Sequence, residues 1–215
     1  MASFVLIHGA GDVGWYWHRV EAELRALGHD TVAPDLPCDD DTAGLAEYAD
    51  AVVAAVGDRR DLVVVAQSLG GFVAPLVGDR VAVGLIVLVA PMIPVPGEAP
   101  ATYWTDTGYR SEGDHDDLFY QDVEPALADE ARRRGRRQSE ARLGEPSPMV
   151  TWPPVPVKVL ICRDDRLMPV AFQRRVARER LGVEPDEIDG GHTPALSRPG
   201  ELARRLHGYV TGKPS

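Results

Sequence analysis

The chain has 215 residues, a formal net charge of −10, 44% hydrophobic and 26% charged residues. That length suits one domain with a full core, and the composition is that of a soluble globular protein. The acidic balance argues against nucleic acid or an anionic membrane surface as a partner, because both demand basic groups.

No apolar stretch approaches a transmembrane helix in length. The run Phe4-Val5-Leu6-Ile7 stops at His8-Gly9, too short for a signal-peptide core and with no basic residue before it. The expected compartment is therefore the cytoplasm. Cys38 and Cys162 have neither metal nor redox spacing, so no metal and no cofactor is expected. No pattern assigns an oligomeric state.

In chain order, residues 3–8 read as a buried strand. Residues 16–27 carry Trp17, Val20, Leu24 and Leu27 at helical spacing and stop at Gly28. Thr31-Val32-Ala33 is strand-like, and 44–57 reads as a helix closing at Gly57. A strand over 62–66 precedes a helix over 69–78. Residues 83–90 are apolar almost throughout, as a parallel strand covered on both faces requires. From Pro91 to Pro154 no clear strand appears, and Pro, Gly and charge dominate. Alternation returns with a strand over 155–162, a helix over 169–181, a short strand near 184–188 and a helix over 195–210. This order predicts an α/β fold: a mostly parallel sheet of about six strands flanked by helices, with a small lid inserted after the fourth strand. The core is expected over 1–92 and 155–215, and the lid over 93–154.

Between the third strand and its helix lies Val65-Ala66-Gln67-Ser68-Leu69-Gly70-Gly71. A serine between small residues at a strand-to-helix turn presents its hydroxyl clear of the backbone, which is how a nucleophile is displayed. A serine hydroxyl needs a base. Of six histidines, His192 lies in the glycine loop Asp189-Gly190-Gly191-His192-Thr193-Pro194, after the last strand, where an imidazole can stand over the sheet edge. A carboxylate must orient that base. Asp164 and Asp165 both follow the fifth strand; Asp165, at the loop apex before Pro169, is preferred, with Asp164 bonding the turn. Backbone donors for a developing oxyanion are expected from Leu69 and from Ala10 in the loop His8-Gly9-Ala10-Gly11. The run Arg132-Arg133-Arg134-Gly135-Arg136-Arg137 reads as a charged helix face, and Asp39-Asp40-Asp41 as a solvated loop.

These residues resemble the α/β-hydrolases, in particular the compact subfamily of plant methylesterases and hydroxynitrile lyases with their bacterial relatives. The matching pieces are Phe4–Ala10, Gly14-Trp15, Trp17, Ala33-Pro34-Asp35-Leu36-Pro37, Ser68-Leu69-Gly70-Gly71, Asp165 to Pro169 with Phe172-Gln173-Arg174, and Gly191-His192. The resemblance implies a triad of Ser68, Asp165 and His192, with Ala10 and Leu69 as oxyanion donors. Two departures stand out. Ala66-Gln67 precede the serine where the family usually has Gly-His, and Thr193 follows His192 where the lyases carry lysine, which disfavours cyanohydrin cleavage.

The expectation is a serine hydrolase cleaving a carboxylic ester or related acyl bond of a small, apolar or aromatic substrate. Trp104, Phe119 and Tyr120 of the lid are the candidate substrate contacts. Two rivals stand beside it: an enzyme making or cleaving C–C bonds with His192 as base, and a ligand-binding module on the same scaffold.

Overall fold

The computed structural model describes residues 1–109 and 112–212. Six strands form one all-parallel sheet: β1 (Ser3–Ile7), β2 (Asp30–Val32), β3 (Leu62–Gln67), β4 (Val83–Val89), β5 (Val157–Cys162) and β6 (Asp186–Ile188), in the spatial order β2-β1-β3-β4-β5-β6. Successive side chains of a strand point to opposite faces, and both faces here are apolar. Val64 and Ala66 of β3, Ile86 and Leu88 of β4, and Ile161 of β5 join one hydrophobic cluster. Their neighbours Val63, Val65, Val87, Val89 and Leu160 join the other.

Helices cover both faces. Helix α1 (His18–Ala26) contributes Val20 and Leu24 to the second cluster. Helix α2 (Leu45–Val56) and the short α3 (Ala74–Gly78) pack on the first. Between β4 and β5 come α4 (Tyr103–Asp106), α5 (His115–Phe119) and α6 (Pro125–Arg134). No strand interrupts them among the described residues. Helix α7 (Val170–Leu181) follows β5 and packs on the first cluster; α8 (Pro194–Ser197) and α9 (Pro199–Thr211) close the chain on the second.

Three expected elements take a different form. The helix expected over 16–27 starts as a 3₁₀ turn, Gly14–Trp17, before α1. The helix after Ser68 opens as a 3₁₀ turn, Ser68–Phe72, because the strand turns too sharply there to enter α geometry at once. The single helix expected over 195–210 is two, since Pro199 has no N–H to continue the ladder and restricts Arg198 before it. No helix among the described residues is long and apolar enough to cross a membrane.

Candidate active site

Ligand sites in parallel sheets gather at the carboxyl ends of the strands. Here β1 ends at Ile7, β3 at Gln67 and β5 at Cys162, so His8, Ser68 and Asp165 emerge along one edge.

Ser68 has φ +51°, a left-handed conformation that a non-glycine residue adopts only when its surroundings enforce it. The enforcement is visible on both sides. The Ser68 carbonyl accepts from the Met92 N–H at 3.0 Å. A Cβ at Gly70 would lie 2.9 Å from the His8 carbonyl oxygen, so the turn tolerates no larger residue there.

Asp165 and His192 are brought together. The His192 Nδ1–H donates to Asp165 Oδ2 at 2.8 Å, and both side chains are 0% exposed. Asp165 Oδ1 accepts from the Met168 N–H at 2.8 Å, and Gln173 Nε2 reaches Oδ2 at 3.3 Å. The carboxylate is thereby fixed, and the ring proton is fixed on Nδ1. His192 Nε2, left as the basic nitrogen, is buried and has no hydrogen-bond partner among the described residues, Ser68 Oγ included. Asp164 does what the turn needs: its Oδ2 accepts from the Gly190 N–H at 3.2 Å.

The loop after β1 is held from below by His8. Its Nδ1–H donates to the Gly9 carbonyl at 2.8 Å, and its Nε2 accepts from the Leu36 N–H at 3.0 Å. Burial lowers the His8 pKa to about 4, so the ring stays neutral as this bonding requires. From above, Gln138 Oε1 accepts from the Gly11 N–H at 3.1 Å, and the Arg136 N–H donates to the Gly11 carbonyl at 2.7 Å. Between these anchors Ala10 is exposed. The N–H groups of Ala10 and Leu69 meet no backbone or side-chain acceptor among the described residues.

A cavity of about 460 Å³ is lined by Ala10, Asp12, Ser68, Phe119, Tyr120 and His192, with Arg132 and Arg136 on its wall. Phe119 sets its ring edge-on to His192, 5.2 Å between centroids. Trp104 does not line this cavity. Its ring packs beside Tyr103 and Phe172 on the first hydrophobic cluster, where burying an indole against aromatic neighbours is more favourable than leaving it on a polar cavity wall.

Two residues of the site, Asp122 and Asp12, escaped sequence reasoning, and a third, Gln67, was noted there only as a departure from the family pattern. Gln67, buried beneath the turn, donates through Nε2 to the His192 carbonyl at 3.1 Å and so ties the serine strand to the histidine loop. Asp122 Oδ2 accepts from the Gly191 N–H at 2.9 Å. Asp12 presents a carboxyl to the cavity whose pKa burial pushes up to about 7, with the Asp35 charge adding to the rise. Gln67 had a signal, its departure from the usual histidine; the other two had none. Among the described residues, no cluster of three or more His, Cys, Asp or Glu is disposed to hold a metal ion.

Against known proteins, the family model described as "Alpha/beta hydrolase family" matches residues 4–205. The chain belongs to the α/β-hydrolase family. Within that family it resembles the methylesterase-like members. It is 26% identical over 245 residues to "Methylesterase 7" of Arabidopsis thaliana, covering 95% of this chain and 94% of that one. It is 38% identical over 108 residues to "Probable esterase PIR7A" of Oryza sativa subsp. indica; that match takes in 44% of this chain and only 41% of the rice protein's length. The solved structure of polyneuridine aldehyde esterase superposes with a TM-score of 0.83 at 18% identity, covering 98% of this chain and 99% of that one, which shows the shared fold.

Proposed function

We propose that this α/β-hydrolase is a serine hydrolase that cleaves a carboxylic ester or related acyl bond through an acyl-enzyme on Ser68. One observation carries the reading most: His192 is bonded to Asp165 through Nδ1, while its unpartnered Nε2 shares a cavity with a serine held at φ +51°. The esterase names of its relatives support ester hydrolysis as the reaction class.

Ser68 Oγ attacks the substrate carbonyl carbon as His192 Nε2 takes the hydroxyl proton. Asp165 holds the imidazole and stabilises the imidazolium. Negative charge gathers on the former carbonyl oxygen, and the N–H groups of Ala10 and Leu69 donate hydrogen bonds to it; each such donor contributes about 3–4 kcal/mol at comparable sites. When the tetrahedral adduct collapses, the C–O bond to the leaving alcohol breaks and His192 returns the proton to that oxygen. Water then attacks the acyl-Ser68 ester by the same steps, releasing the acid and restoring the serine. Residues 93–154 serve as a lid over this edge, with Phe119 and Tyr120 as the apolar wall against which the substrate lies.

The test is labelling and turnover together. A fluorophosphonate should add covalently to wild type and not to Ser68→Ala, and kcat for an activated ester should fall by about 10⁴–10⁶-fold in the variant. Full turnover by Ser68→Ala would sink the reading. Turnover of a substrate with no acyl adduct on Ser68 by intact mass would instead favour His192 acting as base in C–C chemistry.

A further inference from the structure

Among the described residues lining the cavity, Asp12 is the charged side chain that no ion pair answers. Its Oδ1 accepts from the adjacent Val13 N–H at 2.9 Å, and Oδ2 meets no donor among the described residues. The two arginines on the same wall are committed elsewhere. Arg132 is gripped by Asp116 at 2.9 and 3.0 Å and by Asp129 at 2.5 Å. Arg136 is held by Asp35 at 2.8 Å, with Asp39 at 3.8 Å. The charge Asp12 feels is Asp35, of its own sign. The other titratable groups on this wall are His115 and His192. Tyr16 and Tyr120 also face Asp12; burial first, and then the Asp12 charge, raises both phenol pKa values.

A buried carboxyl without a counter-charge takes up a proton more readily, and a bound cation would hold it ionised instead. We propose that the cavity takes substrates carrying a protonated amine, with Asp12 as the counter-ion. This names the substrate class of the proposed hydrolase and rests on that reading for what is done to the substrate. A hydroxyl would offer Asp12 a hydrogen bond without favouring its ionised form. An ammonium supplies donor and charge together, while the Tyr120 ring is already occupied by Arg132, 5.2 Å from its centroid. An anionic substrate would find both arginines already neutralised. The net charge of −10 also draws cations toward the protein.

Titration calorimetry of the full chain with benzylammonium chloride and with benzyl alcohol tests this, on wild type and on Asp12→Asn. Wild type should bind benzylammonium at least about tenfold tighter than benzyl alcohol, and Asp12→Asn should abolish the difference. Asp12→Glu, which keeps the charge, should retain part of it. Equal affinities in wild type, a comparison that needs no variant to fold, overturn the proposal; so does a preference surviving in Asp12→Asn. Benzylammonium should also inhibit p-nitrophenyl butyrate hydrolysis competitively, and inhibition independent of substrate concentration places its site elsewhere and overturns the proposal. A chain that binds benzylammonium as described but turns over no ester removes the hydrolase reading and leaves this assignment standing. A chain that hydrolyses p-nitrophenyl butyrate without amine preference removes this assignment alone.

Discussion

Two parts of the chain face each other across the cavity: the strand ends, and the stretch from 90 to 156. At the strand ends Ile7, Ala66, Val89 and Cys162 are fully buried, and each functional loop is pinned by bonds to backbone groups. The intervening stretch also buries apolar side chains in both clusters, among them Ile93, Tyr103, Leu118, Leu127, Ala131 and Met149, and its outer loops are tied by arginines. Arg132 binds Asp116, Arg136 binds Asp35, Arg137 binds Asp41, and Arg142 binds Glu47 and Glu145, all with exposed partners. Buried packing admits few arrangements, whereas exposed ion pairs contribute little each and are exchanged at small cost. One buried pair breaks the pattern: Arg180 of α7 grips Glu98 with side-chain exposures of 11% and 2%, tying the start of the stretch to the core. The groups proposed for bond-breaking therefore follow fully buried strand ends, while Phe119 and Tyr120 lie in a stretch whose outer loops are held by exchangeable ion pairs.

The comparison is broken most severely at Asp165. Asp165→Asn keeps the shape but offers an amide where His192 Nδ1–H needs an anionic acceptor, so the ring can adopt the wrong tautomer. The expected loss in kcat is about 10⁴-fold with the fold intact by circular dichroism. Asp164→Asn, which touches only the turn at Gly190, should lose less than about tenfold; equal losses would mean that the two aspartates have been assigned in the wrong order.

Gly71 comes next. A Cβ there would sit 2.0 Å from the Met92 carbonyl oxygen, a backbone atom that cannot give way without moving the end of β4. Gly71→Ala should cost at least about 3 kcal/mol of stability by urea unfolding, or abolish folding.

A smaller effect separates His8 from Asp12. Between its ordinary value of 6.5 and its folded value of about 4, His8 is protonated in the unfolded chain and neutral in the folded one. Stability from this residue is present above pH 6.5 and is lost as pH falls toward 4, by about 3 kcal/mol at most. Asp12 acts in the opposite sense. Its carboxyl takes a proton near pH 7 when folded and near 3.8 when unfolded, so the folded chain holds the extra proton and gains stability as pH falls. In wild type the two offset each other. Asp12→Asn should expose the His8 dependence, losing about 3 kcal/mol more than wild type between pH 7 and pH 4.5. Parallel losses in the two proteins would mean that Asp12 is not held protonated.

The same contrast decides what could be read from the chain alone. Strands 3–8, 62–66 and 83–90 were legible because a parallel strand covered on both faces must be a short, nearly unbroken apolar run. Ser68 and Asp165 stood out as candidates because each follows such a run, whereas His192 follows Asp186-Glu187-Ile188 and stood out through its glycine loop. Gln67 to His192 and Asp122 to Gly191 did not, since a side chain reaching a backbone group far along the chain leaves no periodicity behind. Trp104 was misplaced for a related reason: an indole in an irregular stretch looks the same in sequence whether it faces a cavity or, as here, Phe172. Asp12 offered no signal at all, because what distinguishes it is a missing counter-charge, a property of three-dimensional neighbours.

The mildest prediction lies in the intervening stretch, at Gly144. A Cβ there would meet nothing within 4 Å, and the residue is not in a left-handed conformation. Gly144→Ala therefore creates no clash, while it narrows the conformations open to the unfolded chain. Stability should stay unchanged or rise by up to about 1 kcal/mol. Set against Gly71→Ala, the same chemical change should then differ by several kcal/mol between the two parts. Urea unfolding of both variants measures it directly, and a Gly144→Ala loss approaching that of Gly71→Ala would mean that residues 90–156 are packed as tightly as the sheet edge they face.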